Sequence, residues 1–380
     1  MNRYFLILFS LIFCFPGGLA AQNTATRAQD VTMRLPWPVK TEFTIGGHIQ
    51  DFQNYAGVPY FHGGLDVVAP AGTIVYTPVA GKVTVSRYRI DAGTDPLRFT
   101  YSRFPLATPD REVNRDTSNV PLYVEVAVTD GVGRTWMFRH LEASSLSPKV
   151  LLLDRTEMTL AAGEPLGKIV AWKESVYPES RLYHHLHLEV HDRHGSYLNP
   201  VLFLGALQDS VPPVIGRVFL LPNEGGMAFP ESGGRPVVSG DTDIVAEITD
   251  QTDTSRYYTA PYRVNLALYR VLENGLEPVI SSREIFSFAA LPIKGDRTTD
   301  ATVLFKPRVQ QGSTIFESQG NARKRYYLMV LSNGDTVNGY DPANCLRTRL
   351  WPNGRYSLEI TAFDVNGNRA ERHQEFEIRN

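Results

Sequence analysis

The chain has 380 residues, 43% of them hydrophobic, and a formal net charge of −2, so it is long enough for two folded domains and holds acids and bases in near balance. That balance leaves no basic stripe for nucleic acid and no polybasic patch for a membrane surface, which excludes functions built on polyanion binding. With only two cysteines, Cys14 and Cys345, there is neither a disulfide framework nor a zinc–thiolate cluster.

The first segment, "MNRYFLILFSLIFCFPGGLAAQ", joins one cationic residue, Arg3, to an apolar run that stops at Pro-Gly-Gly and small residues. It reads as a signal peptide over residues 1–20, too short in its apolar part to span a bilayer. Phe13 before Cys14 argues against a lipid-attachment site. No later segment reaches spanning length, so the expectation is an exported, soluble protein without a transmembrane anchor, in the periplasm or outside the cell. Cleavage leaves Cys345 alone, expected as a small buried apolar residue.

From about residue 36 the chain alternates at period two between closely spaced Gly, Pro, Asn and Asp, as in "GTIVYTPVAGKVTVSRYRI", which predicts a mainly β protein. In "YFHGGLDVVAPAGTIV", His62 and Asp66 stand four apart. On a helix that spacing would align them, but Gly63 and Gly64 disfavour a helix and predict a sharp path into the strand "LDVVA". Residues 88–120 are rich in polar and turn residues and read as a long loop inserted between two strands. In "NVPLYVEVAVTDGVGRTWMFRHL", "TDGVG" is a hairpin turn that leaves His140 at the end of the second strand.

The stretch "YHHLHLEVH" at Tyr183–His191 holds four of the nine histidines. Its interleaved Leu186, Leu188 and Val190 predict a half-buried strand with His185, His187 and Glu189 on one face, successive members roughly 6–7 Å apart. At "LQDSVPPVIG" adjacent prolines break the pattern and the histidines almost vanish, which places a domain boundary there. Residues 210–380 close with the hairpin "GRYSLEITAFDVNGNRAERHQEFEI" and predict a β-sandwich of immunoglobulin-like type. Within it, residues 222–320 are weakly patterned, and "NEGGMAFPESGGRP" reads as a long loop.

His62, Asp66, His140, His185 and His187 all precede the boundary. A hydrolytic zinc ion takes about three protein ligands from His and carboxylate, with a position open for water, and needs neighbours that move protons. Two imidazoles and a carboxylate meet the first need, and the remaining two histidines meet the second.

Taken together, "FHGGLDVVAPAGTIVYTPVAGKV", "MFRHLEASSL", "AAGEPLGKIVAW" and "HHLHLEVHDRHGSYLNPVLFL" resemble the lysostaphin-type zinc metallopeptidases, the M23 or LytM-domain peptidoglycan endopeptidases. The family's H-x-x-x-D, His-Leu and H-x-H elements occur in order, and the resemblance covers residues 36–207. It implies an antiparallel β peptidase domain holding one Zn2+ through His62, Asp66 and His187. It further implies that His140 and His185 polarise the attacking water and stabilise the oxyanion, with peptidoglycan peptides as substrate. Glu189 fits either a hydrogen-bond partner of a ligand or a solvated carboxylate. His48, His184, His191 and His194 are expected in plain surface or turn roles. Two departures stand out. No Arg occupies "TIGGHIQD", where the family often has one, and the 88–120 insertion is long. The function expected is an exported zinc metalloendopeptidase. A non-catalytic scaffold that activates another wall hydrolase is the alternative, although such relatives lose metal ligands and none is lost here. A binding role through the C-terminal sandwich, with a protein partner, ranks third.

Overall fold

The computed structural model describes residues 34–55, 58–92, 99–113, 123–153, 159–171, 183–253, 255, 257–291, 297–321, 324–335 and 340–380. The signal-peptide segment lies outside them. The N-terminal half forms short strands β1 (Thr44–Gly47), β2 (Phe52–Tyr55), β3 (Val58–Phe61), β4 (Leu65–Val68) and β5 (Ile74–Tyr76). Longer ones follow as β6 (Gly81–Ala92), β7 (Phe99–Pro105), β8 (Tyr123–Asp130) and β9 (Thr135–Leu141), then β10 (Thr159–Leu160), β11 (Pro165–Lys168), β12 (His185–His191) and β13 (Tyr197–Leu198).

One antiparallel sheet runs β1-β4-β12-β9-β8-β6-β10, with β7 added to β6 and β13 to β12. Alternation sorts its faces as the pattern predicts: Leu65, Val67, Val126, Val128, Trp136, Phe138, Leu186, Leu188 and Val190 are buried in one apolar cluster. Burying a single such side chain stabilises by about 1.5–3 kcal/mol, so this face holds the strands in register and the opposite face is left for chemistry. Strand β12 is central, paired with β4 on one side and β9 on the other.

Within the 88–120 segment, residues 88–92 and 99–113 differ from the loop reading, and 93–98 and 114–120 lie outside the described residues. Strand β6 continues to Ala92 and pairs with β7 in a long hairpin, and the short helix Asp110–Val113 buries Val113 completely. An outer hairpin is half solvated, so its polar content matches a loop's while its backbone still pairs.

The C-terminal half is a two-sheet sandwich. One sheet orders Val214–Pro222, Asp241–Thr249 and Leu328–Val330, with Leu346–Arg347 beside it. The other orders Glu231–Ser232, Arg235–Val238, Arg369–Ile378, Gly354–Phe363, Arg263–Leu272 and Gly275–Ser287. Every pairing within these sheets is antiparallel except that of Arg235–Val238 with Arg369–Ile378. Inward residues of both sheets, among them Ile244, Ala246, Ile248, Val264, Leu266, Leu268, Leu358 and Ile360, share one core. The weak patterning of 222–320 has a local cause: the pairing of Arg263–Leu272 with Gly275–Ser287 shifts register three times, and each bulge resets the alternation. Cys345 is half-buried, not fully buried, with a free thiol. No helix among the described residues is long and apolar enough to cross a membrane.

A group of carboxylates gathers where the halves meet. Burial, then the nearby Asp364 and Asp209, push Asp250 up to about 8. A carboxyl raised in the folded state favours folding only while it keeps its proton. That contribution is complete below the unfolded value near 4 and is lost as pH rises through about 8. Asp250→Asn is therefore expected to raise the melting temperature by several degrees more at pH 9 than at pH 4. Equal shifts at both pH values would refute this.

Candidate metal centre

Three strands and one loop deliver five polar side chains to one place. His62 follows β3 and enters β4 through Gly63 and Gly64; Asp66 lies in β4, His140 near the end of β9, and His185 and His187 in β12. In the sheet register His187 stands opposite Asp66 on one side and Arg139 on the other. All five residues are buried. Gly64 is required by close approach: a Cβ there would lie 2.6 Å from the Leu188 carbonyl and 2.8 Å from His187 Nε2.

His62 Nδ1 lies 3.0 Å from the His48 carbonyl. A carbonyl only accepts, so this nitrogen carries the hydrogen and Nε2 presents a lone pair when the ring is neutral. His187 Nε2 likewise donates to Glu189 at 3.0 Å, which turns its Nδ1 inward. His62 Nε2 and His187 Nδ1 are 3.1 Å apart, and they lie 3.1 and 2.9 Å from Asp66 Oδ1. Three acceptors this close repel one another unless a proton or a cation sits among them. Tetrahedral zinc with arms of about 2.0–2.1 Å needs ligand separations of roughly 3.3 Å, so this donor set fits the ion. His62, Asp66 and His187 thus form a cluster capable of holding a metal.

Electrostatics supports the same geometry. Burial by itself would raise the Asp66 carboxyl, but His62 and His185, with hydrogen bonds from His187 and His62, hold it well below the usual carboxylate range. For His187, burial opposes the charge, yet hydrogen bonds to Asp66 and Glu189 lift it to about 9 in the metal-free chain. Burial, then neighbouring imidazoles, push His140 well below the ordinary histidine value; burial also lowers His185. Both are therefore neutral at pH 7 and able to accept or relay a proton.

His185 donates Nδ1–H to the Tyr183 carbonyl at 3.0 Å, and its Nε2 faces Asp66 Oδ1 at 3.6 Å. The His140 and His185 rings meet edge to face, centroids 4.6 Å apart. His140 Nδ1 lies 2.7 Å from the Tyr88 hydroxyl, and its backbone sits at φ 65°, a left-handed conformation that costs a non-glycine residue about 1–2 kcal/mol. A bulge in the pairing of β8 with β9 adjoins this turn.

A buried charge chain backs His187. Glu189 contacts the Arg139 guanidinium, Arg139 Nε reaches Glu125 at 2.5 Å, and Glu125 accepts from Arg103 of β7 at 2.8 Å. Glu189 is fully buried, so the solvated-carboxylate alternative does not hold. The opposite oxygen of Asp66 accepts from the Tyr183 hydroxyl at 2.6 Å. Single residues such as Tyr88, Glu125, Arg139 and Tyr183 carry no motif, and sequence spacing gives no sign of them. The one available cue was the parity of β12, which puts Glu189 on the histidine face.

Two of the plain histidines also differ from expectation. His48 is buried and its carbonyl holds His62, while His191 is half-buried and its Nε2 bonds Glu189 at 2.9 Å. His194 is exposed and His184 half-buried.

No protein-family model matches this chain, and no curated protein does. Among solved structures, a Pseudomonas aeruginosa protein assigned to peptidase M23 is 22% identical over 51% of this chain and 56% of its own, with a TM-score of 0.25. Helicobacter pylori Csd3 is 15% identical over 46% of this chain and 36% of its own, TM-score 0.27. A zinc containing peptidase from Vibrio cholerae is 18% identical over 46% of this chain and 41% of its own, TM-score 0.28. This chain therefore spans between 36% and 56% of the length of these proteins.

Proposed function

We propose that this chain is an exported zinc metalloendopeptidase that hydrolyses peptide bonds in peptidoglycan stem peptides or cross-bridges, acting in the periplasm or outside the cell. The observation that carries it is the convergence of His62 Nε2, His187 Nδ1 and Asp66 Oδ1, each with its outer atoms held so that a lone pair faces the others. Those three atoms would hold the ion, which when bound supplies Lewis acidity and a water of lowered pKa. His185, neutral and fixed at Nδ1, offers Nε2 as the base that takes the water's proton. With Nδ1 placed on the Tyr88 hydroxyl, His140 in the tautomer that carries its hydrogen on Nε2 donates to the oxyanion that develops on the scissile carbonyl. The wall peptide as substrate and the leader-directed export rest on the sequence motifs. The same reading divides the mature chain into a peptidase domain at 36–207 and an immunoglobulin-like sandwich at 210–380.

The test is release of new amino groups from purified peptidoglycan by the zinc-loaded chain, beside chelated protein and His185→Ala. Release is expected from the first alone, with the variant slowed by roughly 10²–10⁴-fold. A folded, zinc-loaded chain that releases nothing would refute the peptidase reading.

A further inference from the structure

The segment that delivers His62 is built on the C-terminal sandwich as much as on its own sheet. Phe52 of β2 and Phe61 of β3 are fully buried against Phe305, ring centroids 5.5 and 5.8 Å away, in the core that the sandwich strands share. Ser255 Oγ donates to the Ile45 carbonyl at 2.7 Å, and Gln50 Nε2 donates to the Ala260 carbonyl at 3.2 Å. Between these contacts lies Asp51, with 0% exposure. A carboxylate without solvent is costly unless both its oxygens are bonded. Here Oδ1 accepts the Ala260 N–H at 2.8 Å and Oδ2 accepts the His48 N–H at 2.9 Å.

The turn that Asp51 closes is the one that holds His62. The His48 carbonyl accepts from His62 Nδ1, and the Asp51 carbonyl accepts the His62 N–H at 2.8 Å. A continuous path therefore runs from the Ala260 backbone through the Asp51 carboxylate and the His48 peptide to the imidazole whose Nε2 faces Asp66. A second contact reaches the site from the same loop: the Tyr257 ring packs edge to face on Tyr183, 5.4 Å between centroids, and Tyr183 donates to Asp66.

We infer that Asp51 is a positioning residue for the metal ligand His62, anchored by the sandwich at Ala260, so that the C-terminal sandwich is a working part of the metal site and not only an appended module. The inference rests on reading His62, Asp66 and His187 as the metal ligands. Losing the carboxylate frees the His48 turn, and with it the tautomer and aim of His62. Outer partners of this kind change metal affinity by roughly 10–100-fold.

The test uses full-length chain with Co2+ as probe, titrated by its visible absorption for wild type, Asp51→Asn and Asp51→Ala, with circular dichroism and a thermal melt for each. Asp51→Asn keeps one acceptor oxygen and the side-chain volume, and is expected to bind Co2+ about tenfold more weakly with an altered band pattern; Asp51→Ala is expected to bind more weakly still. If either variant does not fold, Ser255→Ala, which removes the Oγ bonds to the Ile45 carbonyl and the Tyr257 backbone and leaves Asp51 in place, is expected to show a smaller loss in the same direction. A purely structural role would lower the melting temperature and leave affinity and spectrum unchanged in the folded protein. That result, with wild type binding Co2+, overturns the inference alone. Wild type that binds no Co2+ overturns the metal-site reading and this inference together.

Discussion

Asp66→Ala is expected to abolish metal-dependent hydrolysis, with a loss of roughly 10³-fold or more, the scale seen when one member of a catalytic unit is removed. Asp66 is the hub of the site: Oδ1 faces both inward imidazole nitrogens, and Oδ2 accepts from Tyr183. Removing the carboxylate leaves two neutral nitrogen donors and no anionic ligand, so zinc affinity falls together with turnover. The aliphatic face of β4 is untouched, because Leu65 and Val67 point away from the site into the other core. Zinc content after dialysis against a weak chelator, measured beside the melting temperature, checks the claim. A variant that keeps stoichiometric zinc and wild-type turnover would remove Asp66 from the site.

Arg139→Met is expected to be the most destabilising single change near the site. Arg139 lies buried between Glu125 and Glu189, which are buried as well. Taking away the cation leaves Glu125 with the partly exposed Arg103 and Glu189 with the His187 and His191 imidazoles, and breaking a buried pair of this kind costs about 3–5 kcal/mol. Burial opposes the charge on Glu189, but Arg139, then hydrogen bonds from His187 and His191, hold its carboxyl well below the usual range. A depressed carboxyl favours folding above its unfolded value and loses that contribution as pH falls through the folded one. Without Arg139 both Glu189 and Glu125 titrate higher in the folded chain, so protonation relieves them and the loss relative to wild type is expected to be larger at pH 7 than at pH 5. Chemical denaturation at pH 5 and pH 7 measures both effects. Adding Glu125→Gln should recover part of the loss, and a strictly additive double variant would show that the two residues are not coupled.

The candidate metal centre was legible because strand parity is a two-valued property. Leu186, Leu188 and Val190 belong to one face, so His185, His187 and Glu189 had to share the other. The two glycines before Asp66 marked the close approach of that loop to β12. Legibility failed where a role depends on partners distant in sequence. Asp51 and Ala260 are 209 residues apart, and Tyr183 and Asp66 are 117 apart. Neither pair sits in a local pattern, since each is created by tertiary packing. The β6–β7 hairpin was hidden for a different reason: its polar face mimics a loop when composition alone is read.

The register of β12 bears on how such a chain can diverge. Its neighbours hold it on both sides, with His187 locked between Asp66 and Arg139. Gaining or losing one codon within this strand would exchange every imidazole with a leucine, sending the site into the oil and the oil into the site. Drift by length is therefore confined to the connections at the rim, whereas the strand itself can change only by substitution. Descendants of this sequence should differ widely in loop size and agree, residue for residue, in the spacing from His185 to Glu189.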